Sequence, residues 1–363
     1  MGLSNKKIFI ISPQKWESIK ISKHHYAQAL SNQGAMVYFI NPINFDFAFK
    51  TNIQNINKNL TIVSLTIPIP KIVKFRLKSL FNNISTLFFK YLINKVGSPD
   101  ILWNFDNELY FKHEKLFYKS LRLFHPVDMF SPEKRRNYMD LYDFVFSPSI
   151  AVLNNIKHNN KYFINHGLNQ DFVNFSRIEK DRDVLLLKSV KTIGYMGNIS
   201  IPVLNRKAFI SIITNFPKIT FNLIGEMNDQ CEFQHSLVTY QNVVFIGRKE
   251  GESLYHELLS CDILLVCYSF TNNIFHNDNT HKLLEYLSTG KPIISSPIKA
   301  YEDYHELISF IDFENDDYIS KIDNIINNYS IYNSDEKRKQ RMELAISNSY
   351  QKQIERIENI IND

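Results

Sequence analysis

Short, uninterrupted apolar runs alternate with longer amphipathic stretches along most of this chain. KIFII at Lys7–Ile11, MVYFI at Met36–Ile40 and the runs at Leu60–Thr66, Ile101–Trp103, Leu123–Val127, Phe144–Phe146 and Tyr162–Ile164 read as strands buried on both faces. Between them the spacing predicts helices over Ser22–Asn32, closed by Gly34, over Lys71–Val96 and near Glu108–Leu121. A further helix is expected to open at Ser131-Pro132-Glu133-Lys134, where proline takes the first helical position, and another is capped by Ser147 or Ser149. The pattern then restarts more cleanly. Strands are predicted at Thr192–Met196, Thr220–Ile224, Val243–Ile246, Ile263–Cys267 and Pro292–Ser295, with helices near Leu204–Asn215, Ser253–Leu259 and Thr280–Ser288. Alternation of this kind predicts parallel sheets covered by helices on both faces. Ligands of such sheets lie outside the strands' carboxyl ends, and three strands of the second half end in glycine: Gly197, Gly225 and Gly247.

A chain of 363 residues exceeds one ordinary core. The expected division is a doubly wound domain over 1–178, a charged linker around Arg177–Asp183, and a second doubly wound domain over 184–334. The last segment, 335–363, reads as polar and helical, and is expected to pack back on the first domain through positions such as Met342, Leu344, Ala345, Ile354, Ile357 and Ile360. The fold class is α/β, with two Rossmann-like domains facing a cleft. Hydrophobic residues make up 44% and charged residues 22%, which suits a globular chain rather than a disordered one. A net charge of +5 spread over this length, with no zinc-finger spacing and no RNA-binding signature, argues against a nucleic-acid partner. Cys231, Cys261 and Cys267 form no paired motif and sit in apolar surroundings, which points to reduced core thiols and a cytoplasmic location. No run of eighteen apolar residues is present to span a membrane, and the N-terminus carries no signal-peptide pattern.

The stretch Asn277–Ser296, NDNTHKLLEYLSTGKPIISS, carries the chemistry. It reads as a polar loop, a short helix, a Gly-Lys-Pro turn and a buried strand. Leu283, Leu284 and Leu287 share one helix face, while His281, Lys282 and Glu285 point the other way. Gly290 occupies the place where a helix ends in a left-handed residue, and Pro292 prevents continuation. A helix starting beyond a strand's carboxyl end offers unpaired N–H groups to a phosphate, and a carboxylate one turn further in can accept hydrogen bonds from ribose hydroxyls.

Several pieces together resemble the donor domain of GT-B glycosyltransferases, in particular the bacterial capsule and lipopolysaccharide group (glycosyltransferase group 1, family 4-like). They are Gly-Tyr-Met-Gly at Gly194–Gly197, Leu-Ile-Gly at Leu223–Gly225, NVVFIGRKEG at Asn242–Gly251, SCDILLVCYS at Ser260–Ser269 and HKLLEYLSTGKPIIS at His281–Ser295. The resemblance covers about 150 residues of the second half; the first half matches in element order. It implies transfer of a sugar from a nucleotide-sugar donor, with the nucleotide sugar as substrate and neither cofactor nor metal, and relatives with such a donor segment mostly retain anomeric configuration. It places Glu285 on the ribose, and Lys282, Thr280 and the backbone at the helix start at the diphosphate, with Gly197 and His281 as further candidates for donor binding. In many relatives an acid stands eight residues before the helix glutamate; here that position is Asn277, with Asp278 beside it. Asn198 stands where the relatives carry arginine, so Arg206, Lys207 and Arg248 become the candidate phosphate partners, with Lys249 beside them.

Sugar transfer needs the departing diphosphate neutralised and the acceptor hydroxyl relieved of its proton. Candidate bases lie at strand ends of the first half: His24 and His25, His166, and above all His125 with Asp128 in HPVD. The 71–95 segment carries six basic residues and no acid, interleaved with phenylalanine and leucine. That composition fits either an interfacial helix on the anionic inner face of a plasma membrane or an outer helix whose phenylalanines are core. The expected function is therefore a glycosyltransferase acting on a surface-polysaccharide or lipid-linked glycan acceptor. Two alternatives stay open: a nucleotide-sugar 2-epimerase of the same fold, and a non-catalytic nucleotide-sugar-binding or scaffold subunit.

Overall fold

The computed structural model describes residues 2–107, 116–128, 139–182, 189–226, 231–269, 278–312 and 317–363. The helix expected at Ser131–Lys134, most of the one near Glu108 and the candidate Asn277 lie outside the described residues. The chain forms two compact units, Met1–Asn165 with Tyr350–Asp363, and His166–Ser349.

In the first unit the strands are β1 (Lys7–Ile11), β2 (Met36–Ile40), β3 (Asn44–Phe45), β4 (Lys50–Asn57), β5 (Leu60–Ile67), β6 (Ile101–Asn104), β7 (Leu121–Phe124), β8 (Phe144–Ser147) and β9 (Lys161–Phe163). They form one sheet ordered β3-β5-β2-β1-β6-β7-β8-β9, with β4 running antiparallel along β5. All the other pairings are parallel. The antiparallel β4 was not foreseen: KTNIQNIN is mostly polar because the strand is an exposed edge. The helices of this stretch are α1 (Ser22–Asn32), α2 (Ile72–Arg76), α3 (Lys78–Val96) and α4 (Ile150–Asn154). The helix expected over 71–96 is thus two, broken at Leu77. Phe81, Phe88, Phe89 and Leu92 pack inward from α3 against Phe9, Val63 and Leu102, so these phenylalanines are core.

The second unit holds α5 (Gln170–Lys180), β10 (Thr192–Met196), α6 (Arg206–Asn215), β11 (Thr220–Ile224), α7 (Glu232–Leu237), β12 (Val243–Phe245), α8 (Gly251–Ser260), β13 (Ile263–Val266), α9 (Lys282–Ser288), β14 (Ile293–Ser295), β15 (Ile308–Phe310), α10 (Tyr318–Asn327), α11 (Tyr329–Tyr332) and α12 (Asp335–Ser347). Its sheet, ordered β12-β11-β10-β13-β14-β15, is wholly parallel. Strand order reverses between β10 and β13, as it does between β1 and β6 in the first unit, and such a switch point opens a crevice at the carboxyl ends.

The boundary drawn from sequence at 178–184 begins within α5; the chain divides between Asn165 and His166 instead, because Phe172 and Val173 of α5 belong to the second unit's core. Within the segment 335–363 only the final helix, α13 (Tyr350–Asn362), joins the first unit, where Ile354 and Ile357 are core; α12 stays with the second. An aspartate just before a strand fastens the start of the neighbouring strand in both sheets. Asp100 accepts from the Lys7 N–H at 2.7 Å, Asp143 from Arg122 N–H at 2.8 Å, and Asp262 from the Lys191 and Thr192 N–H groups at 2.7 and 2.9 Å. These carboxylates satisfy backbone donors at the sheet edge opposite the strands' carboxyl ends.

Candidate functional site

Three glycines build a ledge at the carboxyl edge of the second sheet. The Gly197 N–H donates to Ile224 O at 2.8 Å and the Gly225 N–H to Gly247 O at 3.1 Å, so the loops after β10, β11 and β12 are stacked by their own backbones. Gly197 and Gly247 have φ of +124° and +79°, which side-chain-bearing residues rarely adopt. A Cβ on Gly225 would overlap the Gly197 carbonyl, and one on Gly197 would lie 2.6 Å from Lys282 Nζ. The missing side chain at Gly197 is what allows the lysine in.

Lys282 begins α9 and is 7% exposed. Its ammonium donates to Tyr195 Oη at 3.4 Å and sits 4.7 Å and 5.2 Å from the ring centroids of Tyr195, in β10, and Tyr268, two residues beyond β13. Among the described residues no carboxylate lies within ion-pair distance of it. Burial works against the charge, but the Tyr195 and Tyr268 hydroxyls outweigh it and hold the pKa above the ordinary lysine value. A buried cation faced by π-systems and hydroxyls rather than by a carboxylate is arranged to receive an anion. One turn along α9, Glu285 is half-buried, and its Oε2 is shielded from solvent with no hydrogen-bond partner. Burial raises its pKa to about 7, with Lys282 pulling the other way. The helix is locked at the switch point by Tyr286, whose hydroxyl accepts from Met196 N–H at 2.7 Å and donates to Leu265 O at 3.2 Å, bridging β10 and β13. Behind it, Gly290 takes φ +73° as the helix-ending residue, and Arg341 of α12 donates to Gly290 O at 3.0 Å.

The remaining candidates are spread around this core. Thr280 and Asp278 are buried just ahead of α9, and Asp278 O accepts from Ala300 N–H at 2.9 Å. His281 is exposed, its ring 6.0 Å from that of His166. Arg206 and Lys207 are exposed at the start of α6, with the Arg206 guanidinium 5.3 Å from the Phe233 ring. Arg248, also exposed, is ion-paired with Glu250, its Nε 3.0 Å from the carboxylate.

In the first unit, His125 is buried in a box of rings, stacked on Phe105 at 4.8 Å and Trp103 at 6.0 Å, with Tyr26 at 5.4 Å. Asp128 is exposed, and its backbone carbonyl accepts from Asn107 Nδ2 at 3.0 Å. The residues at this edge that sequence reading passed over are Lys23 and Asp106, both buried. Burial lowers the Lys23 pKa to about 8 against the opposing pull of Asp128 and Asp106. Tyr195, Tyr268 and Tyr286 were passed over as well. The aromatic residue ahead of Gly197 and the Glu-Tyr pair in α9 were the available signals.

No family model matches the sequence, and no curated protein matches it. Solved structures do. An alpha,alpha-trehalose 6-phosphate synthase from Burkholderia multivorans superposes with a TM-score of 0.69 at 10% identity, over 98% of each chain. Sucrose-phosphate synthase from Thermosynechococcus elongatus gives 0.68 at 12%, again over 98% of each chain. HepE of Anabaena, solved in complex with UDP and glucose, gives 0.62 at 12%, over 99% of this chain and 100% of its own. At such identities the likeness is one of fold: two parallel-sheet α/β units of the GT-B class.

Proposed function

We propose that this protein is a glycosyltransferase that moves a sugar from a nucleotide-sugar donor to a glycan acceptor. The observation that carries the reading is the Lys282 ammonium, buried at the second sheet's switch point with rings around it and, among the described residues, no carboxylate within ion-pair distance. A diphosphate seated against the Gly197 ledge supplies the missing negative charge, and as the sugar departs the ammonium stabilises the growing charge on the leaving oxygen. Glu285, one turn further in, accepts hydrogen bonds from ribose hydroxyls through its unpartnered oxygen. The chain matches along its full length structures whose names describe synthases of sugar phosphates and a complex with UDP and glucose, which makes UDP-glucose the first donor to try. The basic, acid-free 71–95 segment, with Ile72, Leu77, Leu80 and Leu87 exposed, supports a lipid-linked or surface-polysaccharide acceptor met at an anionic membrane surface. Among the described residues no helix is long and apolar enough to cross a membrane.

A thermal-shift and calorimetric screen of UDP-, GDP-, CMP- and dTDP-sugars tests the reading, with Lys282→Met alongside. One nucleotide class should stabilise the wild type, and the variant should bind it at least tenfold more weakly, the loss of one charge-assisted contact. Equal binding by a folded Lys282→Met protein would remove this site from donor recognition.

A further inference from the structure

A groove of about 730 Å³ opens at the amino edge of the first unit's sheet, where β8 and β9 begin, at the opposite end of the strands from the carboxyl edge. The turn between α4 and β9 and the stretch just ahead of β8 line it, and their own bonds tie them down. Asn160 N–H donates to His158 Nδ1 at 3.1 Å, which leaves the ring proton on Nε2 to donate to Tyr142 O at 2.9 Å. Asn160 Nδ2 donates to Asp143 O at 3.1 Å, and the Lys161 ammonium to Leu153 O and Ile156 O at 2.8 and 2.9 Å. Asp143 is ion-paired with Arg122 at 2.8 Å. With those charges engaged, the lining still offers Asp140, Lys157, Asn154 and Asn159. All four are exposed and, among the described residues, their side chains carry no hydrogen bond or ion pair. Phe144 adds an aromatic lip. Its ring runs parallel to that of Phe146 at 6.1 Å and lies 6.3 Å from that of Tyr162, which is 37% exposed.

We infer that this groove holds neutral glycan, a stretch of acceptor or product sugars gripped away from the reacting end. The free charges are one acid and one base, so the groove has no surplus of either sign to recognise a phosphate or a polycation. Its two free amides each donate and accept, as sugar hydroxyls do, and the exposed Tyr162 ring offers a flat apolar surface to the C–H face of a pyranose. The volume lies in the range of small-molecule sites, about 300–1,000 Å³, and the fixed walls spare the cost of ordering them on binding. The inference rests on the glycosyltransferase reading for the source of the glycan, but not for its test.

Neutral hexasaccharides of α- and β-linked glucose, galactose, mannose and N-acetylglucosamine are titrated against the full chain by ligand-observed NMR, with a heparin hexasaccharide as the anionic comparison and UDP titrated separately. At least one neutral hexamer should bind, and more tightly than the anionic one. The double variant Asn154→Ala/Asn159→Ala should weaken it about tenfold through two lost hydrogen bonds, and Tyr162→Ala should weaken it as well. UDP affinity and unfolding temperature should not change in the double variant, since both asparagine side chains are exposed and bond nothing. No binding by any neutral hexamer, preference for the anionic one, or full affinity in the folded double variant would overturn the inference. Glycan binding that the double variant loses, in a protein that binds no nucleotide, would uphold the groove and count against the donor reading alone.

Discussion

Replacing Glu285 by glutamine should stabilise the protein and weaken its ligand, and pH separates the two effects. The carboxyl pKa rises from 4.5 to about 7 because partial burial disfavours the charge, with Oε2 shielded from solvent and unpartnered. Such a shift corresponds to about 3 kcal/mol of preference for the protonated form in the folded state. Below pH 4.5 both folded and unfolded chains hold the proton and no penalty exists. Between 4.5 and about 7 the folded chain binds more protons than the unfolded one, so stability falls as pH rises, and above 7 the penalty is complete. Glutamine carries no such penalty. Glu285→Gln should therefore unfold at the same temperature as the wild type near pH 4.5 and progressively higher above it. At pH 8 the gain should reach ~3 kcal/mol, roughly 2–4 °C for each kcal/mol in a unit of this size. Ribose hydroxyls donating to the carboxylate favour its anion, so nucleotide binding near pH 7 should release a proton and weaken as pH falls. Calorimetry in two buffers of different ionisation enthalpy counts that proton. A difference in unfolding temperature that is flat from pH 4.5 to 8, together with proton-neutral binding, would refute the reasoning.

Tyr286→Phe should cost about 1–3 kcal/mol by orphaning the Met196 N–H between β10 and β13, read as a lower denaturation midpoint with unchanged m-value. Gly290→Ala forces a Cβ to 2.5 Å from Arg338 Cγ at φ +73°, and should cost at least ~1 kcal/mol in the same assay. Changing Lys71, Lys74 and Arg76 to glutamine should weaken binding to anionic liposomes at low salt and leave binding to neutral ones unaltered. Co-sedimentation at two ionic strengths decides it, since each charge near such a surface contributes about 1 kcal/mol.

Both sheets were legible because their central strands are continuous apolar runs of the length parallel strands need, and α9 because Leu283, Leu284 and Leu287 face one way while Lys282 and Glu285 do not. What escaped is what periodicity does not encode. KTNIQNIN looks like loop because an edge strand has little to bury. The helix at Gln170–Lys180 hides in charge, though Phe172, Val173 and Ser176 form its buried face. Arg338 and Arg341 look like a solvated helix face, yet both are buried. Arg341 donates to the carbonyls of Leu307, Gly290 and Tyr332, and Arg338 to those of Glu179, Lys180 and Arg182. His125 shows the converse: its place at a strand end was legible, and the rings that enclose it were not. The strand-entry aspartates were visible in PDILW, YDFVF and CDILLV, but their shared task appears only once parallel neighbours are known.

The stacked glycines have a consequence for substitution at this site. Because the Gly225 position abuts the Gly197 carbonyl, and Gly197 leaves room for Lys282 Nζ, a side chain added at the outer step pushes on the ammonium two steps away. Substitution at either inner position is therefore felt at the other. The Gly247 step, where an added Cβ would meet nothing within 4 Å, is crowded by no neighbour, and only its backbone angle resists change. An added side chain is thus resisted by space at the inner two steps, and by the backbone angle at Gly197 and Gly247.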